Sequence, residues 1–346
     1  MKIAVLGGGV IGLTTAAMLQ EEIPNIDITL IASDFANTTS HVAAGIFRVG
    51  SSYSGPNEKL TRKPLLSKQI SRDWIKYSYD YYDNIKKKTD SSSSGVKDIS
   101  GYIFSKNSLK IVENHWMQGL VPIYRPAIEE EFDLVQGEWK YGSYYQTLLT
   151  DCGIYLPWLT NKLKRNGVKF QERTLNTLGD LGVDYDYAMN CTGLGAREMC
   201  KDYRLVSIRG QVLKIKAPWI KFFFYGELDT YIIPGFDGSV TLGGSRSYDS
   251  ENLQPCPYER AAILERCTNL LPSIKETNIV KEKIGLRPHR ENNIRVEAEF
   301  LSNGLSNLKV VHNYGHGGYG VCTAPGTVNY AVKLLKDMHK SSVAKL

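Results

Sequence analysis

The sequence predicts an α/β protein with two domains, one built on a parallel sheet and the other on a mixed or antiparallel sheet. The chain opens with a short apolar strand, a glycine turn and a helix, over residues 2–19. A second strand, glycine turn and helix follow over residues 308–339. Between about 205 and 295 the pattern alternates and is rich in turns, which is typical of antiparallel strands. The 346 residues, 42% of them hydrophobic, suffice for two substantial cores.

The opening turn has the spacing Gly7-x-Gly9-x-x-Gly12 between the strand and the helix. The first glycine permits a tight turn, the second lets the backbone approach a pyrophosphate, and the third lets the helix pack on the strand. Amides at the helix start, including those of Val10 and Ile11, then face the phosphates. This pattern predicts a Rossmann-like dinucleotide site. The alternative is a glycine-rich turn in another kind of parallel α/β domain.

The ribose of a dinucleotide needs an acidic partner, which lies about 20 residues beyond the glycines in such folds. The second parallel strand is predicted over residues 26–31, and Asp34 follows it with Ser33 beside it. We therefore predict that Asp34 and Ser33 contact the ribose. Asp34 falls a little late for the strand end, so a solvated loop aspartate is an equal alternative.

Two further segments carry hydroxyl-bearing or small residues, which suit a backbone that passes close to a cofactor. The first, residues 38–45, could equally be a capped helix start. The second, residues 191–193, follows a strand predicted from residue 185, and the end of such a strand is where an open α/β sheet places its ligand. The candidate cofactor contacts in these segments are Thr38, Thr39, Ser40, Ala44 and Gly45, and then Cys191, Thr192 and Gly193.

The second glycine turn, over residues 315–320, also lies between a strand and a helix. Helix-start amides there would face an electron-poor ring, and a flavin needs such donors where negative charge collects on reduction. Two turns in one chain therefore favour FAD over NAD, although the second could be an ordinary βα turn. The candidates are Gly315, Gly317, Gly318, Tyr319, Gly320, Val321 and Thr323.

Charge and composition argue against several classes of partner. The net charge is +6, but the basic residues are scattered apart from Lys86–Lys88, so no nucleic-acid stripe is predicted. The six cysteines form no C-x-x-C pair and the six histidines form no cluster, so no metal site is expected. No apolar run approaches the roughly 18 residues of a membrane span. The immediate start on a strand predicts no secretory signal, and hence reduced cysteines in an intracellular protein.

The region from 51 to 145 is polar and rich in tyrosine. Its serine run, Ser91–Ser94, predicts an exposed loop. The tyrosines around residues 77–82 are expected to pack a helix of the second domain. Residues 151–167 have the apolar spacing of an amphipathic helix.

Several motifs together resemble the D-amino-acid oxidase family, and they occur in the family's order along nearly the whole chain. Residues 312–320 are similar to its C-terminal signature. The others lie at residues 42–45, 190–193, 209–211, 231–235, 241–244 and 285–288. The resemblance implies an FAD domain from residues 1–50, 146–200 and 296–346, and a substrate domain from residues 51–145 and 201–295. It also implies a possible homodimer.

The resemblance implies oxidative deamination of a D-amino acid. The Cα–H leaves as hydride to flavin N5, the imino acid is hydrolysed to a 2-oxo acid and ammonia, and oxygen reoxidises the flavin to give hydrogen peroxide. Arg287 would clamp the α-carboxylate, a task suited to a planar bidentate donor, and would also lie against the flavin. Tyr231 would add a hydroxyl, and the backbone at Gly318 would accept from the amine. Without the resemblance, Arg287 could be a surface arginine.

Two positions bear on the substrate. The family's neutral-substrate branch has a second tyrosine four residues before Tyr231, where this chain has Glu227. The branch that oxidises D-aspartate has an arginine after its Thr-Leu-Gly-Gly strand, and Arg246 stands there. A second guanidinium would select a side-chain carboxylate, because apolar side chains leave it unpaired. We therefore expect acidic D-amino acids, with neutral D-amino acids as the alternative.

There are also departures from the family. Phe222–Phe224 replace an arginine of the aspartate branch, and Ala324-Pro325-Gly326 replace the usual His-Trp-Gly. Pro325 is expected to start the last helix, over Thr327–His339, at its first turn. An oxidase of N-methylated or cyclic amino acids, or a non-catalytic flavin-binding protein, are further alternatives.

The final Ala344-Lys345-Leu346 resembles the peroxisomal address Ser-Lys-Leu. We expect it to bind the peroxisomal import receptor, since a peroxide-producing enzyme is best placed where peroxide is destroyed. A cytoplasmic location is the alternative.

Overall fold

The computed structural model describes residues 1–50, 53, 55–57, 64–302 and 307–343. Ala344-Lys345-Leu346 lies outside the described residues, so the import signal stays a prediction. Within the described part, no helix is both long and apolar enough to cross a membrane.

The strands fall into two sheets. In chain order they are β1 Lys2–Leu6, β2 Asp27–Ala32, β3 Val96–Ser105, β4 Ile123–Pro126, β5 Tyr141–Thr150, β6 Lys169–Glu172, β7 Tyr187–Asn190, β8 Leu205–Lys216, β9 Phe223–Tyr225, β10 Tyr231–Pro234, β11 Ser239–Gly243, β12 Ser247–Tyr248, β13 Ile279–Arg290, β14 Arg295–Ser302 and β15 Asn307–Tyr314.

The helices, in chain order, are α1 Val10–Glu22, α2 Pro64–Lys88, α3 Ser91–Ser94, α4 Leu109–Val112, α5 Cys152–Arg165, α6 Ala196–Met199, α7 Pro257–Leu270 and α8 Gly320–Val343. Helices α1 and α8 pack on the first sheet, and α2, α3, α4 and α7 contact strands of the second. Short 3-10 turns connect several of these elements.

The first sheet has the order β14-β15-β7-β1-β2-β6. Its pairs are parallel except β14 with β15, which is antiparallel. Four of the five residues of β1 are buried, as expected for a strand covered on both faces by helices. The predicted α/β fold with a Rossmann-like domain is confirmed.

The second sheet has the order β12-β8-β11-β10-β9-β3-β5-β4, and β13 also pairs with β8. It is mixed, because β3 and β9 run parallel while the other pairs are antiparallel. This matches the predicted mixed or antiparallel sheet. Strand β5 runs across the predicted boundary between residues 145 and 146, and the domain limits themselves stay a prediction.

Helix α2 lies against α8 and also contacts β3 and β5 of the second sheet, so its predicted place in the second domain stays a prediction. Two of its tyrosines, Tyr79 and Tyr82, are buried, and Tyr82 meets Tyr155 of α5 edge-on at 5.7 Å, whereas Tyr77 is exposed. The prediction for the serine run was wrong. It forms the short helix α3, because Asp90 accepts hydrogen bonds from the amides of Ser92 and Ser93, and Ser94 is buried.

The last helix begins at Gly320, seven residues before the predicted start, so Pro325 lies inside it and does not start it. A proline at this position removes the donor for the carbonyl of Val321, four residues earlier. The hydroxyl of Tyr82 donates to that carbonyl instead, at 2.8 Å. The amide of Gly326 donates to Ser78 Oγ at 2.8 Å, so α2 replaces the interactions that the proline disrupts.

Candidate active site

Three neighbouring parallel strands, β15, β7 and β1, each lead at their carboxyl ends into a predicted cofactor segment. In an open α/β sheet this edge is where ligands bind. The fold therefore brings together the turns after Leu6, Asn190 and Tyr314, although some 300 residues separate the first from the last.

The turn after β1 has no room for side chains at two of its glycines. Gly7 has φ +113°, and a Cβ there would overlap the carbonyl of Cys191. A Cβ on Gly12 would overlap the carbonyl of Gly7. These contacts give the first and third glycines the roles that the spacing predicts.

The middle glycine of the turn faces the segment after β2. A Cβ on Gly9 would lie 3.1 Å from Ser40 Oγ and 3.7 Å from Thr38 Oγ1. The amide of Val10 donates to Ser40 Oγ at 3.0 Å, and Thr39 donates to a backbone carbonyl of β13 at 2.9 Å. The structure thus places Thr38–Ser40 directly against the glycine turn. The amide of Ile11 follows in the first turn of α1.

Asp34 has a local structural role. Its Oδ1 accepts from the amides of Ala36 and Asn37 at 2.6 and 2.9 Å, and its Oδ2 accepts from the side chain of Asn37. These hydrogen bonds, the one from the Asn37 amide first, lower the pKa of Asp34. Ser33 beside it is exposed. Ribose binding by Asp34 and Ser33 stays a prediction. A ribose hydroxyl would have to share the Asp34 carboxylate with its hydrogen bonds to Ala36 and Asn37.

A fourth glycine in the turn was missed. A Cβ on Gly8 would lie 2.7 Å from the carbonyl of Asp34 and 2.8 Å from the ring of Phe35. The extra glycine in the sequence Gly7-Gly8-Gly9 was the available signal.

The segment after β7 is fixed to the strand beside it. The amide of Cys191 donates to Leu6 O at 2.9 Å, and Thr192 Oγ1 donates to Asn190 Oδ1 at 2.7 Å. Gly193 has φ +58°, a conformation that favours glycine. These contacts hold Cys191–Gly193 beside the first turn.

The segment at Ala44 and Gly45 joins the two sheets. Gly45 has φ +81°, and a Cβ there would overlap the carbonyl of Thr150 at the end of β5. The amide of Thr150 donates to Gly45 O, and the amide of Phe47 donates to Leu148 O. This pairing directs the next residue, Arg48, to the space between the sheets.

The turn after β15 also requires glycine. Gly315 has φ +92°, and a Cβ there would lie 2.6 Å from Cβ of Arg290, while Gly317 has φ +56°. His316 is buried between them with Nε2 3.1 Å from Thr327 Oγ1. Burial lowers the pKa of His316 to about 3, so the ring is neutral near pH 7.

The start of α8 supplies the remaining predicted contacts. Gly318 is exposed, and Tyr319 and Gly320 are half-buried. Thr323 Oγ1 donates to the carbonyl of Tyr319 at 2.9 Å, so the hydroxyl is already used inside the helix. Val321 is bound through its carbonyl to Tyr82.

These features fit FAD. Gly7 and Gly12, where any Cβ would overlap a backbone carbonyl, line the start of α1, and Ser40 accepts from the Val10 amide there. Amides there would hold the pyrophosphate. The exposed turn at Gly318 and the start of α8 would meet the flavin ring. No group of three His, Cys, Asp or Glu side chains suited to a metal occurs in the described residues.

The Arg287 guanidinium lies directly against the backbone of Gly210. A Cβ on Gly210, in the paired strand β8, would overlap the Arg287 guanidinium. The Nη1 atom donates to the carbonyl of Ser245 at 3.2 Å and to that of Arg209 at 3.4 Å. Among the described side chains, no carboxylate forms an ion pair with Arg287. The guanidinium is therefore available to an anionic ligand.

Tyr231 and Gly318 lie beside this arginine. The Tyr231 ring covers Gly243 and Gly244, where any Cβ would overlap or crowd it. Burial raises the pKa of its hydroxyl, and the nearby Arg287 cation opposes that shift. A Cβ on Gly318 would lie 3.5 Å from Cδ of Arg287. The three residues predicted to act on substrate are thus together.

Arg246 lies farther out. Its side chain is 59% exposed and forms an ion pair with Asp229 at 2.9 Å. It is near enough to Tyr231 to affect the pKa of that hydroxyl, which places it at the rim. Its substrate-binding role stays a prediction, and a substrate carboxylate would have to compete with Asp229 for its guanidinium.

Sequence reasoning compared only Glu227 with the second tyrosine of the neutral-substrate branch, and it missed Tyr225, which the structure places beside Tyr231. Glu227 faces away and accepts hydrogen bonds from Ser105 and Asn107. Tyr225 pairs directly with Tyr231 across β9 and β10, with ring centroids 5.7 Å apart. The hairpin register decides which residue faces the site, and counting back from Tyr231 could not reveal it.

A family model described as FAD dependent oxidoreductase matches residues 2–334. D-aspartate oxidase from Homo sapiens is 33% identical over 339 residues, covering 97% of this chain and 95% of that protein. D-amino acid oxidase from Dugesia ryukyuensis is 29% identical, covering 98% of each.

Among solved structures, glycine oxidase from Bacillus cereus has a TM-score of 0.74 at 18% identity, covering 97% of this chain and 95% of that one. L-alpha-glycerophosphate oxidase from Mycoplasma pneumoniae, solved with FAD bound, has a TM-score of 0.74 at 15% identity, covering 97% and 94%. These neighbours share the fold. The family model and the 33% identical relative show that the chain belongs to the D-amino-acid oxidase family of FAD-dependent oxidoreductases, and its cofactor is FAD.

Proposed function

We propose that the protein oxidises acidic D-amino acids, D-aspartate and D-glutamate, to the 2-oxo acid, ammonia and hydrogen peroxide. The observation that carries this proposal is the Arg287 guanidinium, which lies against Gly210 beside Tyr231 and Gly318 and has no carboxylate partner among the described residues. Water and oxygen are the other reactants, which balances the release of ammonia and peroxide.

Arg287, Tyr231 and Gly318 would act by binding the substrate and fixing its orientation. Arg287 would hold the α-carboxylate through two parallel N–H donors, and Tyr231 would add its neutral hydroxyl. The carbonyl of Gly318 would accept from the substrate amine. The flavin supplies the hydride acceptor when it is bound. A neutral amine would need no strong protein base, because its nitrogen lone pair forms the iminium as the hydride leaves Cα. The contribution of these residues would be to hold Cα in position.

Two observations support the acidic preference. Burial raises the pKa of the Tyr231 hydroxyl, and Arg287 and Arg246 both oppose that shift while Asp229 adds to it, so two cations lie near this hydroxyl. Relatives named D-aspartate oxidase in Homo sapiens and in Caenorhabditis elegans are 33% and 30–31% identical over nearly the whole chain. A carboxylate side chain would be favoured there, since an apolar one would leave a cation unpaired.

The alternative is a preference for neutral D-amino acids. The ion pair between Arg246 and Asp229 favours it, because a neutralised arginine would not attract a second carboxylate. A relative named D-amino-acid oxidase in Streptomyces coelicolor is 31% identical.

Peroxide formation from a panel of D- and L-amino acids separates these possibilities. The enzyme is first saturated with FAD, and flavin content is measured by absorbance. We expect kcat/KM for D-aspartate or D-glutamate to exceed that for D-alanine by at least about 10-fold, equal to about 1.4 kcal/mol, and no turnover of L-aspartate. A preference for D-alanine would establish the alternative. No turnover of any D-amino acid by FAD-loaded protein would overturn the proposal.

A further inference from the structure

A second arginine lies in the space between the sheets, next to the candidate active site. The Arg48 guanidinium stacks over the ring of Tyr225, with Cζ 4.6 Å from the ring centroid. Its Nη1 atom and the Tyr319 hydroxyl both lie near Gly50, at 3.8 and 2.9 Å from the position of a Cβ there. Arg48 is thus surrounded by aromatic side chains that continue into the site.

Arg48 has no anionic partner in the described structure. Its Nε atom is buried without a hydrogen bond, and none of the described carboxylates forms an ion pair with it. Buried arginines elsewhere differ: Arg209 pairs with Glu259, and Arg290 pairs with Asp202 at 2.8 Å. An unpaired buried charge is costly, so a partner of opposite charge from outside the chain would be strongly favoured.

The surroundings of Arg48 keep it charged. Burial works to lower its pKa, but the hydroxyls of Tyr145, Tyr225 and Tyr319 oppose this, and the net pKa lies above the ordinary value. Residue 48 as a whole remains half-buried. A cation that is enclosed by protein but still reachable from an internal space is suited to bind a ligand there.

Arg48 and Arg287 lie at opposite ends of one strip of residues. Tyr225 connects them on one side, because it stacks under Arg48 and pairs with Tyr231, which lies beside Arg287. The glycine turn connects them on the other side, because Gly318 contacts Arg287 and the following tyrosine reaches Arg48. A ligand that spans this strip would meet one guanidinium at each end.

We propose that Arg48 binds the side-chain carboxylate of an acidic D-amino acid whose α-carboxylate is held by Arg287 and Tyr231. The proposal rests on the proposed function and names the residue that sets its specificity. Arg246, the candidate from sequence, lies at the exposed rim and already has Asp229 as its partner. Arg48 has no such competitor, so the substrate carboxylate itself would neutralise it.

The test compares Arg48→Met with Arg246→Met, and uses Arg165→Met on the exposed end of α5 as the matched control. We measure kcat/KM for D-aspartate and D-alanine, flavin content, and the binding of malonate and acetate from changes in the flavin absorbance spectrum. Loss of a desolvated charge pair costs about 2–5 kcal/mol. Arg48→Met should therefore reduce the D-aspartate to D-alanine ratio at least about 30-fold, mainly through KM, and should weaken malonate far more than acetate.

Arg246→Met should retain most of the D-aspartate preference, and Arg165→Met should retain all of it. If Arg48→Met loses its fold or its flavin, Arg48→Gln and Arg48→Lys provide the same comparison, and only the lysine variant should keep part of the preference. The inference is overturned if the wild type prefers D-aspartate and Arg48→Met or Arg48→Gln keeps that preference. If the wild type itself prefers D-alanine, the proposed function fails, and the two failures are distinguishable.

Discussion

His316 shows how a single buried residue in the second glycine turn can make the stability of the protein depend on pH. The ring lies between Gly315 and Gly317, 5% exposed, and Thr327 Oγ1 is the partner of its Nε2 atom. Among the residues that the structure describes, no charged side chain offsets its burial, which alone lowers its pKa. Because protonation would place an unpaired charge inside the turn, the folded state must exclude the proton.

We predict that His316 makes the protein less stable in mild acid. Its folded pKa of about 3 lies below the unfolded value of 6.5, so its contribution is complete above about pH 7 and is lost as pH falls towards 3. Between pH 7 and 5 the free energy of unfolding should fall by about 2 kcal/mol more in the wild type than in His316→Gln. Urea unfolding with saturating FAD measures both. Equal losses in the two proteins would show that His316 does not titrate in this way.

At the residue scale, sequence predicts a functional group where a motif fixes both identity and neighbours. Arg287 and Tyr231 were predicted in this way, since each stands inside a short signature, and the structure places them near each other. Tyr225 and Arg48 were not, because each depends on a long-range contact: the register of β9 with β10, and the pairing of the Gly45–Phe47 segment with β5. A resemblance to a family also cannot reveal an arginine that belongs to none of its motifs.

At the element scale, the crossing of α2 and α8 is built around a proline that would normally break a helix. Tyr82 replaces the missing donor to Val321, and Ser78 accepts from Gly326. A Cβ on Gly326 would overlap the carbonyl of Trp74, so the two backbones approach closely here. The sequence predicted only that Pro325 would begin a helix, because the rescue comes from a helix about 240 residues earlier.

We predict that Tyr82→Phe destabilises the protein by about 1–3 kcal/mol, because it leaves a buried carbonyl without a donor. Tyr77→Phe, on the same helix but 37% exposed, should change stability by less than about 0.5 kcal/mol. Pro325→Ala restores an amide at position 325, so Tyr82→Phe should cost less in that background. Urea unfolding of the four proteins in a double-mutant cycle measures the coupling. A coupling of zero would mean that Tyr82 does not compensate for the proline.

The sequence did not predict strands β3 and β5, and the same physical reason applies to both. The parallel strands of the first sheet are almost continuously apolar, so β1, β2 and β7 are evident from composition. Strands β3 and β5 carry glycine, serine and threonine and are stabilised by pairing with each other over ten residues. Such pairing is a property of two distant segments, and neither segment alone indicates it.

At the scale of the whole molecule, one hydrophobic cluster connects the two sheets, and a second cluster belongs to the second sheet alone. A single continuous hydrophobic cluster includes Ile3 and Leu13 from the first layer and Ile99 and Phe223 from the second sheet. The Gly45–Phe47 segment, which leaves the cofactor edge, is hydrogen-bonded to β5. The two glycine turns belong to the opposite ends of the chain, so the FAD site exists only when nearly the whole chain is folded.

We therefore predict that the protein unfolds in one cooperative transition and that FAD raises the midpoint temperature of that transition. Ligand at about 100 times its Kd should add about 2.7 kcal/mol, since only the folded chain can bind it. For a protein of this size that corresponds to roughly 4 °C. Scanning calorimetry of the FAD-free protein at increasing FAD concentrations measures the shift. Riboflavin, which lacks the pyrophosphate that the turn at Gly7–Gly12 would hold, is the control and should raise the midpoint much less. Two transitions, with only one of them moved by FAD, would contradict the shared core, because the second sheet would then unfold independently of the cofactor.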